Sequence, residues 1–172
     1  PLTALRKVGG KDVVKGLAPE GVEVGASIAA KNSTRVSANA MARVMRGFSG
    51  RVPQEGERLM CLRNRADDGW CNGMVCVVKE VSYLKGNEYA RVVAECDDGE
   101  ERESNVWIEG LDLEAMPRRD DIPRGCEPFA WGYAVTAHKS QGSEWPIVEV
   151  LETWPVWGKT PEEKVAAQET AR

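Results

Sequence analysis

Two β-rich apolar runs separated by a polar segment near the carboxyl end constrain this chain more than any other feature. Trp131, Tyr133 and Val135 alternate in a run expected of one buried strand, and Ile147, Val148, Val150 and Leu151 form a second. Between them, residues 136–144 are almost wholly polar and include the only histidine, His138. A strand that ends in a polar, glycine-containing turn presents hydroxyls and backbone N–H groups at the carboxyl edge of a sheet. That edge is where open α/β sheets bind phosphorylated ligands. The donors suit a nucleotide or nucleic acid. Thr136 and Ser140 bring hydroxyls, His138 and Gln141 bond phosphate or sugar, and Lys139 supplies charge. Gly142 lets the backbone come close to a ligand, and Glu144 suits a ribose hydroxyl while repelling phosphate. The plainer alternative is a solvated loop in which the histidine is incidental.

Composition narrows the class. A chain of 172 residues forms one or two small domains. A hydrophobic fraction of 42% with 29% charged residues is ordinary for a globular protein. No apolar run is long enough to span a membrane and no signal peptide is visible, so no membrane partner is expected. Pro1 is not an initiator residue, which suggests a shortened chain. The five cysteines form no C-x-x-C pair and one histidine accompanies them, a poor set for zinc. Reduced thiols in a cytoplasmic protein fit best. The net charge of −4 argues against binding DNA through bulk positive charge, but the distribution is uneven. Residues 31–65 carry eight Lys or Arg against Glu55 and Glu57, whereas 95–121 carry eleven acids against three arginines. One face could attract a phosphate backbone and another repel it, or both could be solvated faces.

In chain order, residues 1–20 are weakly patterned and read as a frayed lead-in. Residues 22–30 suit a buried strand. Asn32 or Ser33 then offers an N-cap to a helix over 34–46, with Val36, Ala40, Met41, Val44 and Met45 as its apolar side and Gly47 closing it. From Pro53 the character changes. Residues 57–63, 74–81, 88–96 and 101–108 read as strands, separated by Asn72-Gly73, Gly86-Asn87 and Asp97-Asp98-Gly99. That rhythm suggests a small antiparallel barrel. Pro117, Pro123 and Pro128 mark a linker back to the α/β layer. Thr160, Pro161 and Glu163 spell the start of a last helix.

The segment Thr-Ala-His-Lys-Ser-Gln-Gly-Ser-Glu-Trp resembles motif V of superfamily 1 DNA helicases of the RecD-like and Dda-like branch. The resemblance implies that Thr136, His138, Ser140 and Gln141 face single-stranded DNA and that Glu144 faces the nucleotide. Their chemistry adds Lys139 to the DNA side for its charge and Gly142 to the nucleotide side for its close approach. Ala-Ala-Lys-Asn-Ser-Thr-Arg-Val-Ser-Ala-Asn similarly resembles motif IV, placing Arg35 near nucleotide phosphates with Asn32 beside it. Gly-Glu-Arg-Leu-Met-Cys-Leu-Arg-Asn, followed by Asn-Gly-Met-Val, looks like the Src-homology-3-like barrel inserted in the second RecA-like domain of RecD-like helicases. Arg63 and Arg65 are its candidate DNA contacts.

The expected architecture is therefore α/β plus an all-β insertion. A partial RecA-like parallel sheet (1–52 and 118–172) is interrupted by a small antiparallel Src-homology-3-like barrel (53–117). The function implied is that of a fragment of an ATP-dependent DNA helicase of the exodeoxyribonuclease V alpha-subunit type. Its partners would be single-stranded DNA, the missing first RecA-like domain of the same polypeptide and subunits of a nuclease–helicase complex. ATP and Mg would serve the intact parent, with neither bound tightly by this chain. Gly158-Lys159-Thr160 is not a phosphate loop, because Thr153 stands where its first glycine belongs. With that loop, the metal-binding acids and motif VI lacking, this chain alone is expected not to hydrolyse ATP. The alternatives are a non-enzymatic adaptor whose barrel binds a protein, and a nucleotide-binding regulatory module.

Overall fold

The structure is a computed structural model that describes residues 25–84, 86–141 and 145–151, together with the backbone of 3–8 and 11–15. Those two short stretches form an antiparallel pair, β1 (Thr3–Val8) and β2 (Lys11–Lys15). The expectation of a frayed lead-in is corrected there, since a hydrogen-bonded ladder needs no apolar alternation along the chain. The helix expected from residue 160 onward lies outside the described residues. Among the described residues, no helix is long and apolar enough to cross a membrane.

A parallel sheet forms from β3 (Ala26–Ala29), β9 (Ala134–Thr136) and β10 (Val148–Leu151), in the order β10-β3-β9. Helix α1 (Asn32–Met45) follows β3 and packs on β3 and β9. An antiparallel sheet takes β4 (Arg58–Cys61), β5 (Val75–Ser82), β6 (Tyr89–Cys96), β7 (Glu101–Trp107) and β8 (Phe129–Trp131), in the order β7-β6-β5-β4-β8. Its turns fall where the sequence placed them; Gly99, at φ +82°, takes the left-handed conformation that closes β6 onto β7. The free edge of β7 is also bonded to the residue run leading into β8. Val106 bridges Glu127 in parallel, Trp107 N donates to Glu127 O at 3.2 Å, and Glu127 N donates to Asn105 O at 2.8 Å.

The run from Trp131 to Val135 is not one strand. It splits at Gly132, with β8 completing the antiparallel sheet and β9 joining the parallel one. The antiparallel sheet thus draws a strand from beyond residue 117. Gly132 N donates to Arg58 O at 2.8 Å, and a Cβ at Gly132 would lie 3.0 Å from the Leu59 carbonyl carbon and oxygen. Only glycine allows that approach where the chain passes between sheets. Strands β4 and β8 form a wall between two cores. Leu59, Cys61, Phe129 and Trp131 face a cluster with Val78, Val92 and Leu111, while Met60 and Ala130 face Val135 and the partly buried Ile28 and Trp145. Both faces of these strands are buried, which is why their sequences run apolar instead of alternating.

Helix α1 overturns a further expectation. Its buried residues are Arg35, Asn39 and Arg43, one turn apart, whereas Met41, Val44 and Met45 are 62%, 70% and 78% exposed. The inward surface is polar because it meets backbone and carboxylate, so matched hydrogen bonds replace aliphatic packing. Asn39 Oδ1 accepts from the N–H groups of Tyr133 (3.0 Å) and Ala134 (2.8 Å), and its Nδ2 donates to Ala134 O (3.0 Å). Arg43 donates to fully buried Glu57 through Nε (2.5 Å) and Nη2 (3.2 Å) and to Gly50 O, and its guanidinium lies 3.6 Å from the Trp131 ring centre. Neither Asn32 nor Ser33 caps the helix. Lys31 occupies the cap position with no side-chain hydrogen bond, and Asn32 is the first helical residue.

Candidate nucleic-acid interface

Parallel pairing brings two distant loops to one edge. Ala29 and Thr136 are register partners at the ends of β3 and β9, so the α1 amino terminus and the turn after β9 emerge side by side. The turn folds on itself. Ala137 N donates to Ala29 O (3.1 Å), Lys139 N and Ser140 N donate to Thr136 O (2.9 and 3.0 Å), and Ser140 Oγ donates to Ala137 O (2.9 Å). These bonds occupy the Thr136 and Ala137 carbonyls, and the side chains of His138 and Gln141 are left exposed. Gly142 and Glu144 lie outside the described residues.

Asn32 is exposed beside this turn, whereas Arg35 is 5% exposed. The Arg35 guanidinium donates from Nη2 to Leu113 O (2.6 Å) and from Nε to Asn32 Oδ1 (3.4 Å). Its Nη1 has no hydrogen-bond partner among the described residues. Burial lowers the Arg35 pKa, opposed by the carboxylates of Glu114 and Asp112. Lys139 is also lowered by burial, and Arg35 adds to that as a nearby positive charge. The first turn of α1 holds no acid and no capping side chain. A helix amino terminus, a half-satisfied guanidinium and a desolvated ammonium together make a setting that favours an anion.

Arg63 and Arg65 lie beyond β4 in the wall of a separate cleft of about 520 Å³. Arg119 and Arg124 line the same cleft, with Asp120 and Glu127 as its acids. Arg65 is spoken for, paired with Glu127 and with Asp68 (2.6 Å), and Glu127 raises its pKa. Arg63, Arg119 and Arg124 have no carboxylate partner among the described residues. Hydrogen bonds tie the β9 turn to the loop that carries Arg63 and Arg65. Lys139 Nζ donates to Asn72 Oδ1, and Asn72 N donates to Asn64 Oδ1 at 2.7 Å, between Arg63 and Arg65 in sequence.

Arg119 and Arg124 were not foreseen, since Arg119 closes the acidic stretch 95–121 and Arg124 falls in the segment read as a linker. The signal was Arg118, Arg119 and Arg124 close together among Pro117 and Pro123. Asn39, Arg43 and Glu57, the polar seam under α1, were likewise missed. No group of three His, Cys, Asp or Glu side chains among the described residues could hold a metal ion. A second groove, about 750 Å³, lies over the β5–β6 hairpin and contains Tyr83, Leu84 and Tyr89 beside the ion pair of Arg91 and Glu103.

No family model matches the chain, and no curated protein matches it. Among solved structures, it is similar to the Pif1 helicase from Bacteroides in complex with ADP-AlF3 and single-stranded DNA. There the identity is 18% and the TM-score 0.49, with 89% of this chain and 39% of that one covered. It is similar to Bacteroides Pif1 bound to single-stranded DNA at 17% identity and a TM-score of 0.47, covering 83% of this chain and 37% of the other. A third likeness is to Pif1 helicases at forked double-stranded DNA, at 17% identity and a TM-score of 0.48, covering 73% of this chain and 32% of the other. The chain spans about a third of the length of these proteins.

Proposed function

We propose that the chain is part of an ATP-dependent, RecD-like DNA helicase in which it grips single-stranded DNA and completes the nucleotide site. The observation that carries this reading is the hydrogen-bonded link from Lys139, next to His138, through Asn72 to Asn64, whose chain neighbours Arg63 and Arg65 line the arginine cleft. A strand of phosphodiester could lie along Thr136, His138, Ser140 and Gln141 and continue past Arg63, Arg119 and Arg124, each guanidinium able to take a phosphate. Such contacts carry little base information. The bridge between Val106 and Glu127 supports the reading of the insertion as a closed, Src-homology-3-like barrel, with β8 as an added strand.

Arg35, Asn32 and the open α1 terminus suit a nucleotide phosphate, with Gly142 and Glu144 assigned to the sugar side. Bound ATP with Mg would supply the free energy for stepping. The described residues offer phosphate donors and no cluster of acids for the metal; on this reading the first RecA-like domain of the same polypeptide would supply those acids. This chain's own residues would bind and orient one face of the nucleotide.

The test is anisotropy of labelled single-stranded oligonucleotides with the 172-residue chain across a salt series. Binding should be similar for different base sequences. Arg119→Gln and Arg124→Gln should each reduce the slope of log affinity against log salt by about 0.7. His138→Ala should weaken binding with little change of slope, and no ATP turnover should accompany any of these proteins. Absence of saturable binding at low salt, or unchanged slopes in both arginine variants, would sink the reading. The hairpin groove with Tyr83, Leu84 and Tyr89 favours a second reading, an adaptor that binds protein. Its Arg91 and Glu103 neutralise each other, which suits a peptide better than phosphate.

A further inference from the structure

Cysteines at 76 and 96 stand directly opposite each other on β5 and β6. The backbone of Cys96 turns away from its partner. Its N–H donates to Glu100 O (2.9 Å) and its carbonyl accepts from Gly99 N (2.9 Å), both within the β6–β7 turn. The adjoining pair carries the ladder bond, Asp97 N to Val75 O at 3.0 Å. Cys76 and Cys96 therefore occupy a non-hydrogen-bonded site of an antiparallel pair, where Cα atoms are about 4.5 Å apart and side chains are closest. Disulfides span Cα separations of roughly 4.4–6.8 Å. Both thiols are reduced and buried in the main core cluster.

We propose that Cys76 and Cys96 are a reversible dithiol–disulfide pair that responds to peroxide. This inference does not depend on the helicase reading. Cys96 lies at the end of its strand beside an exposed turn and is 4% exposed against 1% for Cys76, so of the two it is the thiol nearer to a small oxidant. Its pKa is lowered to about 7, first by the hydrogen bond with Cys76 and then by the Arg102 guanidinium, whereas Cys76 is raised by that bond and by burial. Asp98 holds Arg102 in place through bonds of 2.8 and 2.6 Å. The remaining cysteines are differently placed. Cys61 donates to Arg63 O at 3.0 Å and burial pushes it up to about 11, Cys71 is exposed, and burial raises Cys126.

The chemistry balances with peroxide as the only co-reactant. The Cys96 thiolate attacks one peroxide oxygen, the O–O bond breaks, and hydroxide leaves, giving a sulfenic acid at Cys96. Cys76 then attacks the Cys96 sulfur and the S–O bond breaks. The thiol proton and the sulfenic hydroxyl leave as water. Two thiols are oxidised by two electrons, and one peroxide is reduced to two waters. The product staples β5 to β6 near the β6–β7 turn.

The 172-residue chain treated with hydrogen peroxide, alkylated and digested without reductant should yield a peptide pair joining Cys76 to Cys96. The intact chain should lose the mass of two hydrogen atoms and melt several degrees higher, and a phosphine reductant should reverse both changes. Arg102→Gln leaves both cysteines in place, so it separates chemistry from folding. Returning Cys96 toward the ordinary thiol range should slow linkage at neutral pH about tenfold. Recovery of Cys76 and Cys96 as alkylated thiols or as sulfinic acids, or linkage only through Cys61 and Cys71, would overturn the proposal. An unchanged rate in Arg102→Gln would overturn attack by Cys96.

Discussion

Asn39→Ala should cripple this fold more than any exposed substitution on α1. Asn39 is 1% exposed, and its amide satisfies the Tyr133 and Ala134 N–H groups and the Ala134 carbonyl, where the chain crosses from one sheet to the other. Alanine would leave three buried backbone groups without partners. Each such group costs about 1–3 kcal/mol, and partial relaxation or an entering water offsets some of this. A loss of about 4 kcal/mol is expected, a large fraction of the roughly 5–15 kcal/mol that holds a small domain together. With a urea slope of about 2 kcal/mol per molar, the unfolding midpoint should fall by about 2 M. Asn39→Leu, which keeps the volume and removes the same bonds, should fall by a similar amount. Equilibrium urea unfolding followed by tryptophan fluorescence reads both. If Asn39→Leu unfolded at the wild-type midpoint, the latch would contribute nothing and packing alone would hold the crossover. Because β9 leads directly into the turn with His138 and Lys139, the same variants should also weaken oligonucleotide binding at temperatures where they remain folded.

Gly132→Ala should push β8 off β4, because the new Cβ would meet the Leu59 backbone at 3.0 Å and backbone cannot rotate aside. Overpacking of this kind costs about 1–3 kcal/mol, so the melting temperature should drop by several degrees, and an unaltered melt would refute the close approach. Asp98 provides a pH signature. Its carboxyl is held down to about 2, first by the hydrogen bond from Arg102 and then by the Glu100 N–H. A depressed folded-state pKa stabilises above the unfolded value near 3.8 and loses that contribution as pH falls through about 2. A carboxyl-carbon NMR titration should place the Asp98 midpoint near 2 in the wild type and higher in Arg102→Gln. Equal midpoints in the two proteins would remove Arg102 as the cause.

What the sequence determines by itself is local. The strands β5, β6 and β7 and their turns are legible because alternation, Gly86 and Gly99 lie within a few residues of what they organise. The order of β3 then α1, and the residue types of the turn after β9, are legible for the same reason. Only the tertiary structure decides that β8 belongs with β4, since a strand of three apolar residues carries no mark of which sheet will hydrogen-bond to it. It also decides which face of α1 is inside. Met41, Val44 and Met45 have the period of a core stripe, but the surface against the helix is made of carbonyls, N–H groups and the Glu57 carboxylate, and Arg35, Asn39 and Arg43 match it. The arginine cleft is assembled in the same way. Arg119 closes a stretch whose average charge is acidic and Arg124 follows just after it, and both line one cleft with Arg63, where Glu127 bonds both β7 and Arg65. Hydrogen bonds and ion pairs between segments sixty residues apart have no period along the chain, so local pattern is silent about them.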